Sequence, residues 1–240
     1  MAHFYDSLLA DDAARLIAAG CFVLTVALYF ASKRLYARFR SLWLTPLVAV
    51  PAVLALFVVL AQIPYPVYFA DTRWLMWLLG PATVAFAVPI YEYRHLLRRH
   101  WISLSVGVTV GILVAVGGSL ALAKLLHLSP DLQRSLATRS VSTPFALAVS
   151  DKIHAPKDLT ALFVIATGVC GMLFGEIVLA LVPLRTRLAR GALFGAAAHG
   201  VGTARARELG SEEGVVASLT MMIAGVVMVL LAPALSFLPF

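Results

Sequence analysis

The sequence predicts an all-α fold, a polytopic membrane bundle of helices that includes discontinuous or re-entrant half-helices. Three observations support this prediction: the composition, a set of long apolar runs, and a set of interrupted ones. Hydrophobic residues make up 61% of the 240-residue chain and charged residues 13%, with a mean hydropathy of +0.92. Because soluble domains carry about 25% charged residues, lipid must replace water over much of this surface.

Five apolar runs are predicted to span the membrane. Each contains few charges and approaches or exceeds the length of about 20 residues that a spanning helix requires. They are residues 16–32, 43–63, 102–124, 159–183 and 214–237.

Three further apolar stretches are interrupted by small residues, prolines and hydroxyls. They are 74–91 (WLMWLLGPATVAFAVPIY), 135–150 (SLATRSVSTPFALAVS) and 191–207 (GALFGAAAHGVGTARAR). Every backbone N–H and C=O needs a partner in hydrocarbon, so broken helices lie within protein or line a cavity. Broken segments at corresponding positions in the two halves of a membrane-protein sequence indicate the binding site of a transporter. The likeness of PATVAFAVP (81–89) to STPFALAVS (142–150) is consistent with such inverted repeats.

The cations lie in short segments between the apolar runs, where they indicate the cytoplasmic side. The net charge of +7 therefore favours the lipid bilayer as partner and argues against nucleic acid. Cations follow the first run, at 33–40, and acids precede it, which predicts an external N-terminus. The basic clusters at 94–99 and 185–190 both lie on the cytoplasmic side only if 135–150 enters and leaves the membrane on the same face. We therefore expect a re-entrant element at 135–150.

The stretch RSVSTPFALAVS is predicted to form an anion site. Pro144 suits the first turn of a helix, where its missing N–H is no loss, and Thr143 can cap that turn. The N-terminus of this half-helix carries a partial positive charge toward the protein interior. Arg139, Ser140 and Ser142 lie just upstream and can donate hydrogen bonds to a carboxylate. The alternative for Arg139 is a loop cation that extends to a lipid headgroup.

The first interrupted segment has a weaker form of the same arrangement. Gly80 lets the backbone leave helical geometry, Pro81 suits the first turn of a helix, and Thr83 adds a hydroxyl in that turn. These three residues are predicted to contribute to the same substrate site.

In the third segment, two glycines are predicted to break the helix beside a histidine. Gly200 and Gly202 let the backbone leave helical geometry. His199 can bind an anion or carry a proton near neutral pH, or it can simply form a hydrogen bond between helices. Thr203 and Arg205 complete this part of the predicted site.

Two further features remain open. Glu176 lies in an apolar run, which marks a functional candidate, although it lies close enough to the helix end to reach the interface. Small-xxx-small pairs let helices approach closely or dimerise, and we expect a homo-oligomer, a dimer. The pairs are Gly107/Gly111, Gly171/Gly175 and Gly191/Gly195.

The chain shows no catalytic constellation. It has no evident nucleophile–base pair, paired acids or metal-ligand cluster, and its two cysteines lie in apolar runs. We predict that the protein is not an enzyme and has no catalytic residues, metal or cofactor.

Three motifs resemble the LrgB/CidB membrane proteins: LLGPATVAFAVPIY, RSVSTPFALAVSDKI and GAAAHGVGTARARELG. The resemblance runs from about Trp43 to the C-terminus. Ser142 stands where the family has Thr, and Ala198 where it has Ser before the histidine. The resemblance implies one LrgB-like integral membrane domain over 1–240, with N-terminal helices in 1–66 and a core in 67–240.

The resemblance implies two functions. One is transport of small monocarboxylates of the pyruvate, glycolate and lactate class, and the other is holin/antiholin-like regulation of murein hydrolase export and cell lysis. Half-helices around an anion site favour transport, because a holin-like pore needs only simple spanning helices. The resemblance also implies a small partner of the LrgA/CidA type and a location in the bacterial inner (cytoplasmic) membrane.

Overall fold

The computed structural model describes residues 12–39, 44–85, 87–237 and 240. Residues 1–11 and 40–43, which include part of the charge pattern behind the predicted orientation, lie outside the described part. The described residues form helices joined by short turns, and the chain divides into two compact units, 1–81 and 82–240.

The first unit contains one long helix followed by shorter ones. The run at 43–63 gives a helix of 15 residues, about 22 Å at 1.5 Å per residue, which is shorter than the predicted span. It begins at Pro46 and is closed by Gln62, whose φ is 51°. The helices are α1 (Asp12–Phe39), α2 (Pro46–Leu60), α3 (Tyr65–Thr72), α4 (Trp74–Trp77) and α5 (Leu79–Ala85), whose last four residues belong to the second unit.

The second unit contains the remaining helices. They are α6 (Ala87–Glu92), α7 (Arg94–Leu125), α8 (Pro130–Thr138), α9 (Thr143–Ile153), α10 (Lys157–Leu181), α11 (Arg187–Leu209) and α12 (Ser211–Leu235).

Four of the described helices are long and apolar enough to cross a membrane: α1, α7, α10 and α12. Large apolar side chains stand exposed along them, among them Leu113, Phe174 and Leu230. Water would disfavour such a surface and lipid accommodates it. The all-α membrane bundle predicted from composition is confirmed, and the chain is a multi-pass membrane protein.

Helices α8 and α9 form a re-entrant hairpin. Arg99 at the start of α7 and Arg187 just after α10 line one cavity, so α7 begins and α10 ends at the same end of the unit. We call this the basic end. The chain between these helices, 126–156, consequently leaves from and returns to the opposite end. Its tip, 139–142, is the non-helical link between α8 and α9.

Helix α11 is a second hairpin, which enters from the basic end. A straight helix of its 23 residues would be about 34 Å long. Yet Arg187 at its start forms an ion pair of 2.9 Å with Glu212, three residues past its end. A Cβ on Gly202 would overlap the carbonyl oxygen of Phe194, so the two halves lie side by side. The chain reverses at His199, which has non-helical φ 48° and ψ −126°.

Helix α12 is the most buried of the four long helices and packs against both hairpins. Phe145 in the first turn of α9 lies against Gly225, near the middle of α12. A Cβ on Gly195 of α11 would overlap the backbone of Ala217. The absence of side chains at these glycines thus lets the hairpins approach α12 closely.

Candidate functional site

The tips of the two hairpins meet near the middle of the long helices. Arg139 of the first tip contacts Thr167, and Ala198 beside the second tip lies against Gly168. Thr167 and Gly168 are midway along α10. Because the tips contact these two adjacent residues, both lie at the same depth of the second unit, although the hairpins enter from opposite ends.

The first tip has the geometry of a helix start. Ser142 is the N-cap of α9, with extended φ −66° and ψ 153°, and Pro144 lies in the first turn as predicted. The prediction that Thr143 caps this helix is wrong, because Thr143 is already its first helical residue. The Ser142 side chain makes no capping hydrogen bond, so its hydroxyl stays available to another group.

Arg139 is fixed at the first tip by two hydroxyls. Its Nε donates to the Ser119 Oγ of α7 at 2.9 Å, and its Nη1 donates to the Thr167 Oγ1 of α10 at 3.2 Å. The residue is half-buried, and no carboxylate among the described residues forms an ion pair with it. The guanidinium is therefore held in position by neutral groups.

The second tip is His199 itself. Sequence reasoning assigned the break to Gly200 and Gly202, and that assignment is wrong: both lie in helical backbone, and His199 carries the reversal. A φ of 48° is strained for a residue with a Cβ. Gly202 has another role, since its missing side chain lets the two halves of α11 pack together.

The His199 ring faces the first tip. The residue is 4% exposed, and the ring lies beside the Ser140 backbone and within electrostatic range of Arg139. No described residue gives either ring nitrogen a hydrogen bond of good geometry. The buried hydroxyls of Ser140 and Ser142 likewise have no partner among the described residues. Buried polar groups are nearly always paired, so this cluster has unused capacity for a ligand.

Two half-helices begin at the meeting point. Helix α9 starts at Thr143, and the second half of α11 starts just after His199. The N-terminus of a helix carries partial positive charge and favours anions. The arrangement therefore combines a guanidinium, free hydroxyls and two helix N-termini at one place.

The structure places Thr203 and Arg205 in the second half of α11, with their polar groups engaged. Thr203 donates to the His199 carbonyl oxygen at 2.8 Å. Arg205 donates to both oxygens of Glu176 on α10, at 2.5 and 3.3 Å, and to Glu208 at 2.8 Å. Arg205 thus ties the hairpin to α10 one to two turns away from the tip.

The predicted residues of the first interrupted segment fall at the boundary between the two compact units. Gly80 and Pro81 belong to the first compact unit, and the side chain of Thr83 lies outside the described residues. The helix break precedes Gly80, because the chain leaves helical hydrogen bonding at Leu78 and α5 begins at Leu79. Helix α5 has seven residues.

Two residues of the site were missed by sequence reasoning. Ser119 and Thr167 hold Arg139, but each shares its long apolar run with at least one other hydroxyl residue. The available signal was their position, since polar side chains deep in a spanning helix usually face the protein interior.

A model of the LrgB-like family matches residues 25–238, most of the chain. The chain belongs to the LrgB-like family. The family resemblance noted from the three motifs is thereby confirmed. Two Bacillus subtilis (strain 168) relatives are similar to this LrgB-like chain. The uncharacterized protein YwbG is 39% identical, covering 88% of this chain and 94% of its own length. The uncharacterized protein YxaC is 30% identical, covering 85% and 89% respectively. No solved structure matches the chain significantly.

Proposed function

We propose that this LrgB-like protein carries small monocarboxylates, of the pyruvate, glycolate and lactate class, across the bacterial cytoplasmic membrane. One observation carries the proposal. Two hairpins entering from opposite ends bring the Arg139 guanidinium, the buried His199 ring and two unpartnered hydroxyls to one point at mid-depth.

The chemistry of these groups suits a carboxylate. A carboxylate that leaves water for the membrane interior must exchange its hydration for fixed donors. Arg139 supplies a charge-assisted hydrogen bond, while Ser140 and Ser142 supply hydroxyl donors. The start of α9 adds a helix N-terminus. All are in place before the ligand arrives, so little ordering entropy opposes binding.

The hairpins also provide a means of alternating access. Each hairpin fills the path between the site and the end from which it enters, so movement of one hairpin opens the site to that end only. Such movement around a fixed mid-membrane site is how transporters with discontinuous helices operate.

The alternative, holin/antiholin-like regulation of murein hydrolase export, is equally compatible with family membership. The cluster at the tips supports the carrier instead. A pore of simple helices has no use for a strained hairpin tip and buried donors, each of which lowers stability without a ligand.

The test is uptake of radiolabelled pyruvate into liposomes that contain the purified protein. We expect saturable pyruvate uptake that glycolate and lactate inhibit by competition. Uptake by Arg139→Gln should be lower by about tenfold or more, because a hydrogen bond to a charged group contributes roughly 1.5–3 kcal/mol. Arg134→Gln is the matched control, since Arg134 lies in the same hairpin arm and pairs with Asp131.

A small LrgA/CidA-type partner, added in a second set of liposomes, tests whether transport requires both proteins. Leakage of an unrelated dye at the same rate as pyruvate would contradict the carrier and support the pore-like function. Equal uptake by the wild-type protein and Arg139→Gln would contradict the assigned site.

A further inference from the structure

A cavity at the basic end of the second unit is separate from the site between the hairpin tips. Its volume is about 810 Å³. It lies between the start of α7, the two roots of the α11 hairpin and the first turn of α12. The residues that argue for its ligand are Tyr93, His95, Arg99, Arg187, Arg190 and Glu212.

The cationic groups of this cavity are only partly engaged. Arg187 is paired with Glu212 at 2.9 Å, and the Nε of Arg190 donates to the Leu184 carbonyl oxygen at 2.9 Å. Arg99 and Arg190 both line the cavity, and no carboxylate among the described residues forms an ion pair with either guanidinium, although Glu212 and Glu213 also line it. Guanidinium groups bind phosphate through paired N–H donors.

The cavity lies at the depth of lipid headgroups. Helices α7 and α12, both long enough to span a membrane, begin there. The polar start of α7 ends at His100, where the backbone leaves helical geometry (φ −118°, ψ 19°), and the apolar part begins at the exposed Trp101. Tryptophan and tyrosine favour the membrane interface, which agrees with the position of Tyr93 in the cavity wall.

We propose that this cavity binds the phosphate of an anionic phospholipid headgroup, held by Arg99 and Arg190. The shared chemistry is a phosphate group, and the interfacial depth selects lipid over a soluble phosphate. Basic recesses between membrane helices on the cytoplasmic side are suited to such headgroups. A lipid bound there contacts α7 and both roots of the α11 hairpin, so it would brace the hairpin against the rest of the unit.

The experiment compares thermal unfolding of the full-length protein in nanodiscs of phosphatidylcholine alone and of phosphatidylcholine with phosphatidylglycerol. The test variant is Arg99→Gln/Arg190→Gln. The control is Arg98→Gln/Arg185→Gln, which removes the same charge from the same two segments at residues that do not line the cavity. A third arm adds inorganic phosphate to the phosphatidylcholine nanodiscs.

We expect phosphatidylglycerol to raise the melting temperature of the wild-type protein and the control variant by several degrees. The shift should disappear in Arg99→Gln/Arg190→Gln. If both variants lost the shift equally, the effect would depend only on net charge, and the assignment of the site to Arg99 and Arg190 would be overturned. A matching shift with inorganic phosphate would overturn the lipid assignment, and no shift in any arm would overturn both.

Discussion

Arg205 and Glu176 form a two-pronged ion pair between the second half of α11 and helix α10. The Arg205 Nε and Nη2 donate to the two carboxylate oxygens at 2.5 and 3.3 Å. The residues lie 29 positions apart, in a region otherwise dominated by apolar and small side chains. The pair accounts for an acid within an apolar run, and it anchors the hairpin whose tip is His199.

The first prediction concerns this pair. Arg205→Met leaves the Glu176 carboxylate without its partner in a long apolar helix, and should lower the melting temperature more than Glu176→Gln, after which Arg205 keeps Glu208. The double variant should be more stable than Arg205→Met alone, because it leaves no uncompensated carboxylate at position 176 of α10. A double-mutant cycle from thermal unfolding measures this coupling. Strictly additive effects would show that the pair does not stabilise the hairpin.

The second prediction uses the strain at His199. At φ 48° a glycine avoids the clash that a Cβ causes, and such backbone strain is of order 1–3 kcal/mol. His199→Gly should therefore unfold at a higher temperature than His199→Ala, although glycine is normally the weaker residue in helices. Both variants lose the ring, so both should lose pyruvate uptake. If His199→Ala were the more stable of the two, the hairpin tip would not be strained.

The third prediction separates binding from stability at the first tip. The buried Ser142 hydroxyl has no partner among the described residues, and an unpaired buried hydroxyl lowers stability, so Ser142→Ala should raise the melting temperature slightly. It should weaken pyruvate binding about fivefold, because one neutral hydrogen bond contributes about 1 kcal/mol. Isothermal titration measures the binding.

Ser218→Ala is the control for this change. Ser218 lies in α12, and its hydroxyl donates to the Gly214 carbonyl oxygen at 2.9 Å. Pyruvate affinity should be unaffected by its loss. Equal affinity of Ser142→Ala and the wild-type protein would remove Ser142 from the site.

The fourth prediction distinguishes two small-xxx-small pairs. A Cβ on Gly171 would overlap the backbone of Ala197 in the α11 hairpin, whereas no atom of the described residues lies within 4 Å of one on Gly111. Gly171→Ala should destabilise the protein by roughly 1–3 kcal/mol, as is usual for an overpacked contact. Gly111→Ala should be neutral or stabilising, because alanine is the better helix former. A denaturant titration of the two variants checks this, and equal stability would contradict the close approach.

Much of the fold follows from local sequence patterns. The membrane class, the long helices and the interruptions at 74–91, 135–150 and 191–207 depend on apolar length and on Pro, Gly and hydroxyl residues. Each of these three segments contains a helix break in the structure, at Leu78, at 139–142 and at His199 respectively. The re-entrant course of 135–150 was indicated by the charge clusters on either side of it.

The remaining features depend on packing that sequence does not display. His199 rather than a glycine turns the α11 hairpin, while Gly202 lies where the two halves touch. Helix propensity alone cannot reveal that preference. The partners of Arg139 and Glu176 are 20 to 29 residues distant, so no local pattern identifies them. The substrate role of the tip residues and the proposed partner stay predictions.

The central claim is that the hairpin tips recognise the negative charge of a carboxylate, and one binding measurement tests it most directly. Isothermal titration should compare pyruvate with its neutral analogue pyruvamide on the wild-type protein and on Arg139→Gln. The account predicts that the wild-type protein binds pyruvate at least about tenfold more tightly than pyruvamide, and that this preference disappears in Arg139→Gln. Equal affinity for both ligands in the wild-type protein, or a preference that survives in Arg139→Gln, would contradict it.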